Sequence, residues 1–102
     1  AIIYNDKLPI GILQSEVCKL FSLDPRYCIG AGSMIITCKQ GSAKKVINRL
    51  ARENIFCSEV GKIAHREQGI KLVTNNIAND LLYNENDPYW AAFFKALNSG
   101  WK

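Results

Sequence analysis

The sequence lacks the residues that most metal sites and hydrolytic centres need. It has one histidine, His65, and its cysteines form no C-x-x-C pair. Structural zinc sites take four sulfur or nitrogen ligands at short spacings, so this pattern argues against zinc. Cysteine in apolar surroundings packs as a small hydrophobic residue. We therefore predict four reduced thiols, without disulfides or metal: Cys18, Cys28, Cys38 and Cys57.

The chain also lacks a long apolar run. No stretch approaches the roughly 20 apolar residues of a membrane span, and the opening "AIIYNDKLPIGIL" has neither a basic lead nor a signal-peptide cleavage pattern. We expect a cytoplasmic protein that makes no membrane contact. Ala1 stands in place of a start methionine, so an excised piece of a longer protein is one interpretation and a complete product is the other.

Acidic residues are fewer than basic ones, and the net charge is +4. Such a charge is typical of proteins with anionic partners, including nucleic acid and phosphate. The basic residues are scattered, and the densest group falls mostly on the exposed face of one predicted helix, which favours a solvated surface. We do not expect a nucleic-acid partner. The group is Lys39, Lys44, Lys45, Arg49 and Arg52.

The composition is that of one globular domain, residues 1–102, because 48% of the residues are hydrophobic and 22% are charged. Hydrophobic periodicity predicts strands at "AIIY", "SMIITCK", "IFCSEVGKIA" and "GIKLVT", the last two joined by a hairpin at "HREQG". The unbroken apolar run "SMIITCK" is predicted to be a central strand. The segment "NNIANDLLYNEN" is predicted to be a surface connection.

Three helices are predicted between and after these strands. The first carries an apolar stripe, the second follows Ser42 as its N-cap, and the third has Asp87 as N-cap, Pro88 as first residue and Gly100 as stop. The fold class is therefore α+β, a four-stranded mixed sheet with helices packed mainly on one face. The predicted core-facing residues are Ile10, Leu13, Val17, Leu20 and Phe21; Val46, Ile47, Leu50 and Ala51; and Trp90, Phe93, Phe94 and Leu97. For the last helix, an exposed face that binds a partner is the alternative.

The stretch "CIGAGS" is the candidate site. Glycine admits positive φ and close approach of a ligand, and exposed N–H groups in such a loop bind anions. Gly30, Gly32 and Ser33 are therefore candidates for substrate or phosphate binding, and plain turn geometry is the alternative. No catalytic residue and no metal ligand is predicted. His65 is expected to be exposed in a turn, and Asp24 to be a turn residue before a proline.

The ordered features of residues 2–73 resemble the C-terminal domain of the AIR synthase (PurM-like) superfamily. They are the proline-led helix ending in "LDP", "GAGS" before an apolar strand, the helix "AKKVINRLAREN", and "SEVGKI". The superfamily includes aminoimidazole ribonucleotide synthetase, selenophosphate synthetase and thiamine-monophosphate kinase. This chain lacks the threonine-serine-glycine-glycine run of selenophosphate synthetase and ends in "LNSGWK" instead of the cysteine of the hydrogenase maturation members.

The resemblance implies an ATP-dependent enzyme of which this chain is the C-terminal domain, inactive alone. ATP and magnesium would bind an N-terminal domain outside this chain, and no cofactor is expected in the chain itself. The segment matching "GAGS" would face the interdomain substrate cleft. Whether the chain forms a homodimer is left open by the sequence. The alternative from another class is a free-standing α+β binding or regulatory module that takes an anionic ligand or nucleic acid.

Overall fold

The structure is a computed structural model that describes residues 1–28, 30, 32–82 and 85–101. These residues divide into two compact units: a sheet unit, residues 1–9 and 34–82, and a helical unit, residues 10–33 and 85–101 with the gaps just given. The sheet unit contains β1 (Ile2–Tyr4), α2 (Ala43–Ala51), β2 (Gly61–Lys62), β3 (Lys71–Thr74) and β4 (Ile77–Asp80). The helical unit contains α1 (Ile12–Leu20) and α3 (Pro88–Asn98).

The four strands form one mixed sheet in the order β2-β1-β3-β4. Strand β1 is antiparallel to β2 and parallel to β3, and β3 is antiparallel to β4. This sheet with its three helices confirms the predicted α+β class. The likeness to the PurM-like domain and the packing of the helices on one face of the sheet stay predictions.

Strand β4 was not predicted, and its origin lies in Asn75 and Asn76. Both residues have positive φ, 51° and 64°, and Thr74 pairs with Ile77 across them. A two-residue loop with positive φ at both positions matches the right-handed twist of the strands, and asparagine tolerates that conformation. The chain therefore folds back on β3, and the prediction of a surface connection is wrong for Ile77–Asp80.

The predicted central strand "SMIITCK" is also wrong, since residues 34–39 belong to no strand. Strand β1 has β2 and β3 as its two neighbours, so the middle of the sheet is already paired. Residues 34–38 make no backbone hydrogen bond with the described part of the chain. The predicted hairpin between "IFCSEVGKIA" and "GIKLVT" is wrong for the same reason, because β1 lies between β2 and β3.

The helix boundaries follow the capping residues. Asp87 caps α3 by accepting a hydrogen bond from the Tyr89 N–H at 3.0 Å, Pro88 is its first residue, and Gly100 beyond its end has φ +87°. All three predictions are confirmed. Ser42 stands at the predicted N-cap of α2 but makes no side-chain capping bond.

Apolar side chains are widely exposed in both units. Cys18 is the most completely buried residue among those described, at 8% exposure, whereas Ile35 is 92% exposed. Leu13, Val17 and Leu20 of α1, predicted to be covered, are exposed, and the aromatic stripe of α3 is about half exposed. Large exposed apolar patches on soluble domains usually mark surfaces that another molecule or domain covers.

Candidate functional site

The candidate site is a loop of the helical unit that runs from Asp24 to Ser33. Three residues separate its start from the end of α1 at Leu20. The φ angle of Ser22 is +55°, and the Leu23 N–H donates to the Cys18 carbonyl oxygen at 2.7 Å, while the Ser22 N–H donates to that of Lys19 at 3.1 Å. This pair of bonds is the Schellman arrangement, which satisfies the last carbonyls of a helix and reverses the chain direction. The loop therefore has a defined starting direction.

The residues Gly30, Gly32 and Ser33 form a tight turn. The Ser33 N–H donates to the Gly30 carbonyl oxygen at 3.0 Å, which closes a four-residue turn, and Gly32 has φ +88°. A turn with positive φ at its third position favours glycine there. Turn geometry thus accounts for Gly32. Ile29 and Ala31, which belong to the same stretch, lie outside the described residues.

The same turn leaves open space around its small residues. A Cβ atom at Gly32 would meet nothing within 4 Å, and one at Gly30 would lie 3.3 Å from the Ser33 hydroxyl oxygen. All three residues are exposed. Within the described part of the chain, no protein group bonds the Ser33 hydroxyl. The turn therefore offers a free hydroxyl with glycines beside it, and its role as a binding site stays a prediction.

Asp24 and Arg26 form a closed ion pair just before this turn. Asp24 accepts hydrogen bonds from the Arg26 backbone N–H at 3.0 Å and from its Nε at 2.8 Å, and the guanidinium Nη2 completes the pair. The Arg26 side-chain hydrogen bond holds the pKa of the Asp24 carboxyl below its ordinary value, against an opposing effect of partial burial. An ionised carboxylate held in this way is a poor general base, so Asp24 is a turn residue, as predicted.

Cys28 is the residue that follows the 3₁₀ turn Pro25–Tyr27, and it is partly buried. Its thiol donates to the Asp24 carbonyl oxygen at 3.4 Å. Burial raises the pKa of the Cys28 thiol, and the Cys18 thiol and the carboxylates of Asp87 and Asp24 raise it further. The thiol, which is the weaker nucleophile, is therefore the neutral-pH form of Cys28.

Helix α2 of the sheet unit presents a second candidate surface. Lys45, Asn48, Arg49 and Arg52, spaced along one helical face, line a shallow depression of about 330 Å³. The Glu53 carboxylate lies 3.6 Å from the Arg49 guanidinium and offsets one of the positive charges of this helical face. Lys44, Lys45, Arg49 and Arg52 are exposed, as predicted. The arrangement suits a polyanion that lies along the helix.

A second depression, of about 350 Å³, lies at the carboxyl ends of the parallel strands β1 and β3. Lys7 lies over the Tyr4 ring, with its Nζ 4.9 Å from the ring centroid. Ligands of open α/β sheets bind at this end of parallel strands. Sequence reasoning missed this depression, because it depends on the pairing of β1 with β3. Its lining is Tyr4, Asn5, Asp6, Lys7, Val73, Thr74, Asn75 and Asn76.

The described residues contain neither a metal-ligand cluster nor a membrane-spanning helix. No group of three or more histidine, cysteine, aspartate or glutamate side chains there could hold a metal ion. None of the helices in that part of the chain has the length and apolar character to cross a bilayer. His65 is exposed beside a short 3₁₀ turn, as predicted. All four cysteines are free thiols in this structure.

Comparison of the chain with protein-family models, with curated proteins and with solved structures finds no match. The α+β class therefore rests on the sheet and helices described above. The resemblance to the AIR synthase superfamily rests on the ordered sequence features alone.

Proposed function

We propose that this chain is the C-terminal domain of an AIR synthase-related, ATP-dependent enzyme, inactive alone. In this proposal it closes one side of the substrate cleft, and ATP and magnesium bind to an N-terminal domain. The ordered sequence features of residues 2–73 suggest the family. The observation that carries the proposal further is the exposed apolar segment that directly follows the candidate turn.

That segment is residues 34–38. Met34 and Ile35 are 83% and 92% exposed, and no backbone group of the segment bonds to the described part of the chain. A segment with unpaired backbone N–H and C=O groups and β-branched side chains is a site for strand pairing with another surface. We propose that the N-terminal domain of the same protein covers it, which would bring Gly30, Gly32 and Ser33 to the edge of the cleft.

The first experiment asks where ATP binds. Titration of this chain with ATP and magnesium in a calorimeter should give no heat of binding, and the longer protein should give a measurable one. Micromolar ATP affinity of this chain alone would contradict the placement of the nucleotide site in another domain.

The second experiment tests the exposed segment. Ile35→Asp should leave the stability of the isolated chain within about 0.5 kcal/mol, as surface changes do, and weaken its association with a separately produced N-terminal domain at least tenfold. Ile63→Asp is the matched control, because Ile63 is 69% exposed in the same unit. Equal association of both variants would contradict the proposed interface.

The third experiment tests the turn in the longer protein. Gly32→Asn fills the open space with a residue that tolerates positive φ, and Ser33→Ala removes the free hydroxyl. We expect both to lower turnover or raise KM while the melting temperature changes little. Unchanged kinetics with a lowered melting temperature would make the turn structural only.

The basic face of α2 favours a second candidate function, a module that binds a polyanion. Labelled single-stranded DNA should then bind with an affinity that falls steeply as salt rises. Arg52→Glu should weaken it, while Lys19→Glu, on an exposed lysine of α1, should change it less. Absence of binding at low salt would remove this candidate.

A further inference from the structure

Strand β4 is an edge of the sheet with one unoccupied side. In the order β2-β1-β3-β4, its neighbour among the described residues is β3. All four residues of β4 are exposed, and Ile77 is 64% exposed. The opposite edge, β2, has two residues and carries Lys62, a charge of the kind that blocks further pairing. Strand β4 contains neither lysine nor proline, so its edge is open to another strand.

The hydrogen-bond pattern identifies the backbone groups of β4 that point away from β3. The Leu81 N–H donates to the Ile70 carbonyl oxygen at 2.8 Å, one residue beyond the end of β4. In an antiparallel pair, residues that bond the partner strand alternate with residues whose N–H and C=O groups point outward. Asn79 therefore bonds β3, as Leu81 does, whereas the backbone groups of Ala78 and Asp80 point outward.

Lys71 of β3 supports this assignment and offsets the charge of the edge. Its N–H donates to the Ala1 carbonyl oxygen at 2.8 Å, on the β1 side of β3. Asp80 is opposite Lys71, so this pair exchanges no backbone bond. The Lys71 Nζ lies 2.7 Å from the Asp80 carboxylate. The edge of β4 thus presents outward backbone groups beside a charge that is already paired.

We propose that the β4 edge pairs with the β4 edge of a second copy of this chain. The two strands run antiparallel, with a two-fold axis at Asn79. Ala78 of each copy exchanges N–H···O=C bonds with Asp80 of the other, so both outward residues of both strands are bonded. The pairing joins two sheets into one and removes an open edge from each copy.

The side chains of β4 favour this register. It places Ile77 opposite Leu81 of the second copy, and the two Asn79 residues opposite each other. Apolar pairs and hydrogen-bonding amide pairs at opposed positions stabilise antiparallel strands. Ile77 lies on the face of the sheet that also holds Leu72 and Ile70, because alternate residues of a strand share a face and opposed residues lie on the same side. The apolar row therefore continues from one copy into the other.

The two neighbouring two-fold registers that pair the outward groups fit less well. A pair centred on Ala78 sets Asp80 opposite Asn76, whose φ of 64° belongs to the turn before β4. A pair centred on Asp80 sets the two Asp80 carboxylates opposite each other, where like charges are unfavourable. The edge is therefore self-complementary about Asn79, and this match assigns it to a second copy. The interface does not depend on the proposed function, since residues 34–38 and the candidate turn lie in other segments.

The first test measures the oligomeric state. Sedimentation equilibrium of the full chain at rising concentration should show a monomer–dimer equilibrium. Ala78→Pro should weaken it at least tenfold, because proline removes an outward N–H and places its ring there, while the bonds to β3 remain. Circular dichroism checks that this variant folds. Ile35→Asp, in the exposed segment 34–38, is the control and should dimerise like the parent.

The second test uses opposite charges to determine the register. Asn79→Asp and Asn79→Lys should each dimerise at least tenfold more weakly than the parent, because like charges then meet at the two-fold axis. An equimolar mixture of the two variants should form a heterodimer. Restored association requires that both variants fold, so it separates a broken interface from a broken fold.

The third readout is amide hydrogen exchange at rising concentration. The amides of Ala78 and Asp80 should exchange more slowly in the dimer, whereas that of Asn79, bonded to β3 in either state, should change little. Three results would overturn the proposal: a parent that stays monomeric at millimolar concentration, an Ala78→Pro variant that dimerises like the parent, or charged variants that do not associate when mixed. Protection of Ala78 and Asp80 only after a separately produced N-terminal domain is added would assign the edge to that domain instead.

Discussion

Gly61 is the position at which one added methyl group tests the β1–β2 pairing most directly. A Cβ atom there would lie 2.2 Å from the Ile2 carbonyl oxygen and 3.0 Å from the Ile3 Cα. Both are backbone atoms of the central strand β1, so neither can move aside as a flexible side chain would. Gly61→Ala should therefore push β2 away from β1.

The size of the effect follows from the bonds at stake. The contact must lengthen by more than about 1 Å to reach ordinary van der Waals distance. The pairing of β2 with β1 is short, Ile2 with Lys62 and Ile3 with Gly61, and the Tyr4 N–H to Val60 carbonyl bond of 2.8 Å extends it. Overpacking costs about 1–3 kcal/mol, and each lost backbone bond adds about 0.5–1.5 kcal/mol. We expect a loss of about 2–4 kcal/mol in the free energy of unfolding.

Urea unfolding followed by circular dichroism measures the global loss, and hydrogen exchange of the Tyr4 amide measures the local one. Lys62→Ala is the matched control, because Lys62 is an exposed residue of the same strand and the change adds no atom near β1. It should stay within about 0.5 kcal/mol of the parent. An unchanged midpoint and unchanged Tyr4 protection in Gly61→Ala would refute the β1–β2 contact.

Three further predictions concern the helical unit. Because Arg26 lowers the pKa of Asp24, the ion pair stabilises the fold above about pH 4, and this stabilisation is lost as the pH falls through the lowered pKa. The pair is partly exposed, so it contributes under about 1 kcal/mol. Asp24→Asn should therefore remove that part of the acid dependence of the melting temperature. Gly32→Ala should cost about 1–2 kcal/mol in urea unfolding because of its positive φ, while Gly32→Asn should cost less, and equal losses would argue against that φ. Trp90 is 55% exposed, so Trp90→Ala should cost about 1–2 kcal/mol, below the 3–5 kcal/mol of a buried aromatic residue, and a loss in the higher range would show that α3 is covered in solution.

Local signals were sufficient wherever neighbouring residues satisfy the backbone. The caps of α3 are an example, since the Asp87 carboxylate bonds the Tyr89 N–H two residues away. The turn at Gly32 and the ion pair of Asp24 with Arg26 are equally local. Sequence reasoning predicted the caps, the turn alternative for the glycines and the turn role of Asp24, because the groups involved lie within a few residues along the chain, but it did not predict the ion pair with Arg26.

The strand pairings were decided only in three dimensions. The apolar run at residues 34–39 is typical of a central strand. In the sheet, however, β1 is paired on both sides, with β2 and with β3, and the run belongs to no strand. The polar residues 77–80 were typical of a connection, yet they pair with β3 through the turn at Asn75 and Asn76. Whether a segment forms a strand depends on which partner strands are available to it. The alternation of apolar and polar residues along the chain carries no information about those partners.

The sequence by itself determined the α+β class, the three helices with most of their boundaries, the candidate turn and the exposed basic face of α2. The tertiary structure decided the strand order and the depression at the ends of β1 and β3. The physical reason is the separation along the chain of the groups that interact. Capping, turn conformation and amphipathic spacing depend on groups a few residues apart, whereas a sheet neighbour is chosen by the pairing of segments that are distant in sequence.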